Sequence, residues 1–248
     1  FVDDHRIFGT AILPAAFYLE LAASAGKAAL NANGSVAVVE SFIVHETLVL
    51  PDDGVCTVQT VLTPESSEAA SFKIFSLEAE KAEVWRVYAS GKVRIATADS
   101  PKPLALEELR ARGEEAISAE THYQQLRERG LDFGSRFQGV AQIWRRAGEA
   151  LGEIQLPEPL MSETAYYDIH PALLDACLQV AGTILPPGTD TYLPIGIDRF
   201  RLYARPGTRL WSLARLRLGD GANTQTLTAD VRLLDEAAAR FDRAAGGQ

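Results

Sequence analysis

The 248-residue chain carries 33 acidic and 24 basic side chains, a formal net charge of −9, and 47% of its residues are hydrophobic. That is enough for one large domain or two small ones with a real core, which excludes a disordered tail or a collagen-like rod. The acidic balance argues against nucleic acid as the main partner, and no apolar run of about 18 residues is present to span a membrane as a helix. The longest candidate, Leu13 to Leu30, is broken by Glu20, Ser24, Gly26 and Lys27. Two cysteines, Cys56 and Cys177, make neither a disulfide framework nor a zinc site, so a reducing cytoplasm is expected. The opening Phe1-Val2-Asp3-Asp4-His5 is acidic, and no secretory leader is expected there.

Pro14 suits the start of a helix, and Phe17, Leu21 and Ala25 then recur at helical spacing in an alanine-rich stretch to about Leu30. Asn31–Ser35 reads as a turn. Val36–Val39, Glu40–Leu50, Val55–Leu62, Ser71–Glu78 and Trp85–Ile95 read as strands, with a turn at Pro51–Gly54 and a bulge expected at Gly91. Glu65, Glu68, Glu78, Glu80 and Glu83 form a solvated acidic region. The charge-rich stretch that follows, from the polar Asp99–Pro103 onward, reads as a linker with one surface helix. After it come a short helix at His122–Arg129, strands around Trp144, and a second apolar helix from Pro171 to Ile184 that stops at Pro186-Pro187-Gly188. Strands return at Phe200–Tyr203, Arg209–Leu218 and Thr224–Leu234, before an alanine- and glycine-rich tail from Glu236 to Gln248.

The order suggests a duplication. Pro14-Ala15-Ala16-Phe17-Tyr18-Leu19-Glu20-Leu21 lies over Pro171-Ala172-Leu173-Leu174-Asp175-Ala176-Cys177-Leu178 at an offset of 157 residues, and each helix is embedded among strands. Two α+β halves are therefore expected, each a sheet wrapped around one buried helix. The first spans residues 1–98, a linker 99–118 and the second 119–236, with a flexible tail over 237–248.

Asp175 sits in an otherwise apolar helix, where a carboxylate is costly unless paired, protonated or facing a cavity. Gln179, at i+4, is within hydrogen-bonding reach of it; a water-touching position at the helix edge is the alternative. His5, Gly9 and Pro14 stand as His-x-x-x-Gly-x-x-x-x-Pro ahead of the first helix. Either His5 is simply packed there, or it pairs with Asp175 to supply acid–base chemistry at neutral pH. His45, His122 and His170 share no metal-ligand spacing, His170 reads as a capping or packing residue, and Cys177 reads as core. There is no glycine-rich phosphate loop and no Gly-x-Ser-x-Gly elbow.

Taken together, Asp4-His5-x-x-x-Gly9-x-x-x-x-Pro14 and Asp175-x-x-x-Gln179 within His170-Pro171-Ala172-Leu173-Leu174-Asp175 resemble the dehydratase domain of modular type I polyketide synthases. Trp85–Gly91 resembles that family's strand before the linker, Gly130–Gly139 its Tyr-Gly-Pro loop, and Leu193-Pro194-Ile195 its late Leu-Pro motif. The resemblance covers nearly the whole chain and implies a double hotdog. It also implies elimination of water from a 3-hydroxyacyl thioester carried on the phosphopantetheine arm of an acyl carrier protein. His5 is then the base, Asp175 the acid and Gln179 its orienting partner, while a backbone N–H near Gly9 or Gly134 receives the thioester oxygen. No bound cofactor or metal is implied; the partners are the carrier protein, other modules of the synthase and a second copy in a homodimer.

The chain departs from the family pattern in three places. Phe133 and Ser135 stand where the family has Tyr and Pro, Ala15 stands where a Gly often follows the proline, and the first half is expected to lack opening strands. Two alternatives accompany the main reading. One is a dehydratase that also closes an oxygen ring by attack of a distal hydroxyl on the new enone. The other is a non-catalytic domain that holds a neighbouring module together.

Overall fold

The computed structural model describes residues 1–30, 36–51, 55–77, 84–97, 104–185, 191–217 and 227–235. Several sequence assignments lie outside the described residues: the turn at Asn31–Ser35, most of that at Pro51–Gly54, Glu78, Glu80 and Glu83, Asp99–Pro103, the Pro186-Pro187-Gly188 stop, and the tail from Glu236. In chain order the elements are β1 (His5–Ile7), β2 (Thr10–Ala11), α1 (Ala15–Ala29), β3 (Val36–Val44), β4 (Val58–Pro64), β5 (Ala69–Leu77) and β6 (Trp85–Ala96). They continue with α2 (Leu106–Ala111), β7 (Glu115–Ser118), α3 (Ala119–Glu128), β8 (Leu131–Phe133), β9 (Val140–Arg146) and β10 (Glu149–Gln155). Last come α4 (Pro171–Gly182), β11 (Gly196–Arg201), β12 (Arg209–Arg217) and β13 (Thr228–Leu234). The chain divides into two compact units, the first made of Phe1–Ser100, Ala165–Pro171 and Leu193–Arg205, the second of Pro101–Thr164, Ala172–Tyr192 and Pro206–Gln248.

In the first unit, five antiparallel strands run in the order β11-β3-β6-β5-β4. Period-two alternation turns Ala70, Phe72, Ile74 and Ser76 of β5 inward. Helix α1 buries Ala16, Tyr18, Leu19, Ala22, Ala23 and Gly26. Its small residues let it lie very close to the sheet: a Cβ on Gly26 would fall 2.3 Å from a Val93 methyl. Pro14 is the residue before the helix rather than its first turn, with extended ψ of 152°. The bulge expected at Gly91 lies instead in the facing strand. Glu40 pairs with Lys92 and Ile43 with Ser90, so Ser41 and Phe42 share one place opposite Gly91, and Ser41 takes a φ of 51°. Gly91 leaves room for the Phe72 ring, which a Cβ there would approach to 2.9 Å.

The second unit has a five-stranded antiparallel sheet in the order β13-β12-β10-β9-β7. Helix α4 buries Ala172, Leu173, Leu174, Ala176, Cys177 and Val180. Here the close approach comes from the strand, since a Cβ on Gly152 of β10 would fall 2.4 Å from Val180. Ser212 of β12 donates to the Cys177 carbonyl at 2.7 Å. On the other side of the sheet, Leu109 of α2 packs with Leu151 and Leu213, joined by Leu104, Leu106, Trp211 and Leu234.

Two segments assort differently from the sequence division. The stretch 99–118 is more than a linker: α2 covers apolar sheet surface through Leu109, and Glu115–Ser118 is β7, hydrogen-bonded to β9. Residues 119–236 do not stay together either, because β11 pairs with β3 in the first unit's sheet, Phe200 opposite Val39. Both choices are made by long-range strand pairing, to which local periodicity is blind.

Candidate functional site

His5 opens β1 in the first unit and is 6% exposed. Two residues, Phe8 and Gly9, turn β1 into β2, with Ile7 opposite Thr10. Both have positive φ, 49° and 77°, the geometry of a primed hairpin turn. Gly9 therefore serves the turn that sets the register of His5. Past β2, the Ile12 N–H donates to the His5 carbonyl at 3.0 Å, and Nδ1 of His5 lies 3.1 Å from the Ile12 carbonyl oxygen. A carbonyl only accepts, so Nδ1 carries the hydrogen and the basic lone pair of the neutral ring is on Nε2. Leu13 N–H and Leu50 N–H, bonded to the carbonyls of Leu48 and Ala11, tie this segment to the next stretch of chain before Pro14 leads into α1.

Asp175 lies in the second turn of α4 in the second unit, 7% exposed, and Gln179 one turn on is 9% exposed. The Gln179 amide donates to Asp175 Oδ2 at 2.9 Å and to the Phe137 carbonyl at 3.1 Å. Its oxygen accepts from the Tyr123 hydroxyl at 3.2 Å, and that hydroxyl accepts from Val140 N–H at 2.8 Å. The structure thus brings Asp175 and Gln179 together as the i+4 spacing predicts, and adds Tyr123, which the sequence did not single out. Burial raises the Tyr123 phenol well above its ordinary range, although Val140 opposes this. Burial lowers His122 to about 4, with its hydrogen bond to Gln179 opposing. Cys177 is fully buried in the core and its thiol is pushed up by burial, then by Asp175.

Phe133 ends β8, and its carbonyl accepts from the Gln138 side chain at 2.8 Å. Gly134 precedes a short 3-10 turn over Ser135–Phe137, with an ordinary φ of −71°. His170 packs between the rings of Phe1 and Tyr167, at 5.0 and 4.8 Å between centroids. Sequence reasoning also missed Glu20. It is 3% exposed, and its carboxylate accepts from the backbone N–H of Asp168 at 2.7 Å and of Ile169 at 3.3 Å, and from Ser24 at 3.0 Å. With the Lys27–Asp168 ion pair at 2.8 Å, it ties α1 to the segment that leads into the Asp175 helix. The one available signal was a glutamate inside an alanine-rich apolar face.

The family model described as polyketide synthase dehydratase N-terminal domain matches residues 101–240, and that described as polyketide synthase dehydratase domain matches residues 1–77. The dehydratase domain from the CurF module of curacin polyketide synthase is 34% identical with a TM-score of 0.83, covering 95% of this chain and 87% of that one. A trans-AT polyketide synthase dehydratase domain from Brevibacillus brevis, 24% identical, shares the fold at a TM-score of 0.87 over 95% of this chain and 84% of its own. The pikromycin polyketide synthase component PikAII of Streptomyces venezuelae is 32% identical over 91% of this chain, which spans 6% of its length. In helix-bearing sheets, motif order and overall likeness alike, the chain belongs to the dehydratase domains of type I polyketide synthases, hydro-lyases of double-hotdog fold.

Proposed function

We propose that this domain removes water from a 3-hydroxyacyl thioester held on the phosphopantetheine arm of an acyl carrier protein, with His5 as base and Asp175 as acid. Nε2 of His5 takes the α-proton, the electron pair left behind forms the α,β double bond, and the C–O bond to the 3-hydroxyl breaks. Asp175 gives its proton to the departing oxygen, which leaves as water; solvent then returns the transferred protons to their starting places. The observation that carries the base assignment is the Nδ1–Ile12 carbonyl contact at 3.1 Å, which puts the accepting lone pair on Nε2. For the acid, it is a carboxyl buried in an apolar helix beside an amide that orients it.

A relative supports the pairing. The CurK dehydratase, 32% identical over 94% of this chain, has been solved as an inactive mutant with aspartate replaced by asparagine, and as another with histidine replaced by phenylalanine. The thioester oxygen gains charge as the α-proton leaves, and a backbone N–H at Gly9 or Gly134 is the proposed donor. The reaction as drawn uses only groups of the chain and needs no bound cofactor. We place the domain in the cytoplasm beside the other modules of a synthase, as a homodimer.

Mass spectrometry of synthetic 3-hydroxyacyl thioesters incubated with the purified domain tests the proposal. Loss of one water supports it, and unchanged substrate contradicts it. With a substrate bearing a distal hydroxyl, a cyclic isomer of the dehydrated product would assign ring closure as well.

A further inference from the structure

We infer that Tyr123 is a positioning residue for Asp175: its phenol fixes which way round the Gln179 amide sits, and through that amide, which carboxyl oxygen carries the proton. The inference rests on the acid role proposed above for Asp175.

A carboxamide fits almost equally well when flipped, so its orientation is decided by its neighbours. Three neighbours agree here. The Phe137 carbonyl, 3.1 Å away, only accepts, so the group facing it is N–H. On the other side is the Tyr123 hydroxyl, 3.2 Å from Gln179 Oε1. That hydroxyl accepts from Val140 N–H at 2.8 Å, and its single hydrogen faces two acceptors, Gln179 Oε1 and, farther off at 3.4 Å, the Phe137 carbonyl; the Phe137 carbonyl already accepts from Gln179 N–H, so the phenol hydrogen goes to the nearer Gln179 oxygen. The third neighbour is His122, buried at 1% exposure and also hydrogen-bonded to Gln179.

The consequence falls on Asp175. Gln179 presents N–H, not oxygen, to Oδ2 at 2.9 Å. Two hydrogens do not share one contact, so the acid's proton resides on Oδ1, and that is the oxygen that delivers it to the leaving hydroxyl. Without the phenol, the amide loses one of the three contacts that keep its oxygen away from Asp175, and a larger fraction of molecules turns that oxygen toward Asp175, where it accepts the acid's proton and withholds it from substrate. Tyr123 touches no reacting atom in this scheme. It therefore governs the rate of proton delivery and leaves substrate affinity alone.

Tyr123→Phe keeps the ring and removes the hydroxyl. The test measures kcat and KM for water loss from a 3-hydroxyacyl thioester in wild type, Tyr123→Phe, Gln179→Leu and the double variant, after circular dichroism confirms folding. A parallel measurement follows the Asp175 carboxyl by 13C NMR titration. The titratable groups around Asp175 in its own unit do not interfere between pH 5 and 8, because His122 titrates at about 4 and Tyr123 and Cys177 are held high by burial. In Tyr123→Phe, kcat should fall about tenfold, the worth of one buried hydrogen bond, with KM within about twofold. The Asp175 titration should move upward, and the double variant should be no slower than Gln179→Leu alone. Folded Tyr123→Phe with wild-type kcat and an unmoved titration would overturn the inference. If Tyr123→Phe does not fold, Gln179→Leu carries the test, because the effect inferred for Tyr123 on Asp175 passes through that amide; unchanged kcat there overturns it equally. Wild type that shows no turnover, with a titration that still moves in Tyr123→Phe, would sink the dehydratase assignment while leaving the positioning role standing.

Discussion

Nδ1 of His5 lies 3.1 Å from the carbonyl oxygen of Ile12, across the short hairpin that the sequence writes as His-x-x-x-Gly. One backbone acceptor thereby selects the tautomer and aims the imidazole. A two-residue turn at Phe8 and Gly9 sets the register that makes the contact.

Gly9 is accordingly predicted to matter through its backbone. Its φ is 77°, and a Cβ there would meet nothing within 4 Å, so the cost of substitution is conformational and not steric. Gly9→Ala should lower the free energy of unfolding by about 1–2 kcal/mol. Gly9→Asn should recover part of that, since Asn tolerates the left-handed region. Denaturant midpoints for the three proteins check this; equal losses for Ala and Asn would count against it.

Glu20 is predicted to be a stability residue. Glu20→Ala strips the acceptors from Asp168 N–H and Ile169 N–H, at a cost of about 1–3 kcal/mol. Glu20→Gln keeps one acceptor oxygen and should lose less. Burial raises the Glu20 pKa, with the hydrogen bonds from Asp168, Ser24 and Ile169 opposing. The folded state therefore holds this proton more tightly than the unfolded chain. The stability this linkage contributes is greatest in acid and is lost as pH rises through the raised pKa. Glu20→Gln should flatten that part of the stability–pH curve.

His122 predicts the opposite slope. Burial lowers it to about 4, against 6.5 for a free imidazole. Between those values the unfolded chain takes the proton and the folded chain does not. Stability from this group is therefore complete above about pH 6.5 and falls as pH drops toward 4, by on the order of 3 kcal/mol. Unfolding free energies of wild type and His122→Phe, measured from pH 7.5 to 4, should diverge in this way; parallel curves would contradict it.

Phe133→Tyr restores the hydroxyl that the resemblance assigns to this position and leaves the residues His5, Asp175 and Gln179 unchanged. Elimination should continue at a rate near wild type, with a change in substrate preference read from kcat/KM over a panel of 3-hydroxyacyl thioesters. Loss of elimination in the folded variant would show that the Phe133 loop is fitted to this substrate in a way that the hydroxyl spoils.

What the sequence made legible was what has a local period. The alanine-rich spacing of Phe17, Leu21 and Ala25 gave α1, and alternation through Phe72, Ile74 and Ser76 gave β5. The Asp175–Gln179 contact followed from i+4 geometry. What stayed hidden depended on distant partners. Phe8-Gly9 is not one of the usual hairpin dipeptides, so β1 and β2 were not visible. The pairing of β11 with β3 joins residues such as Phe200 and Val39, far apart along the chain. Tyr123 meets Gln179 across 56 residues, and Glu20 meets Asp168 across 148. No periodicity encodes such contacts; they follow only once the sheets are assembled.

The central claim is that His5 removes the α-proton and Asp175 protonates the leaving hydroxyl. The most direct measurement is water loss from a 3-hydroxyacyl thioester by folded His5→Ala and Asp175→Asn, followed by mass spectrometry beside wild type. General acids and bases contribute about 10²–10⁴-fold, so each variant should lose at least that much turnover. Near wild-type turnover in either folded variant would contradict the account.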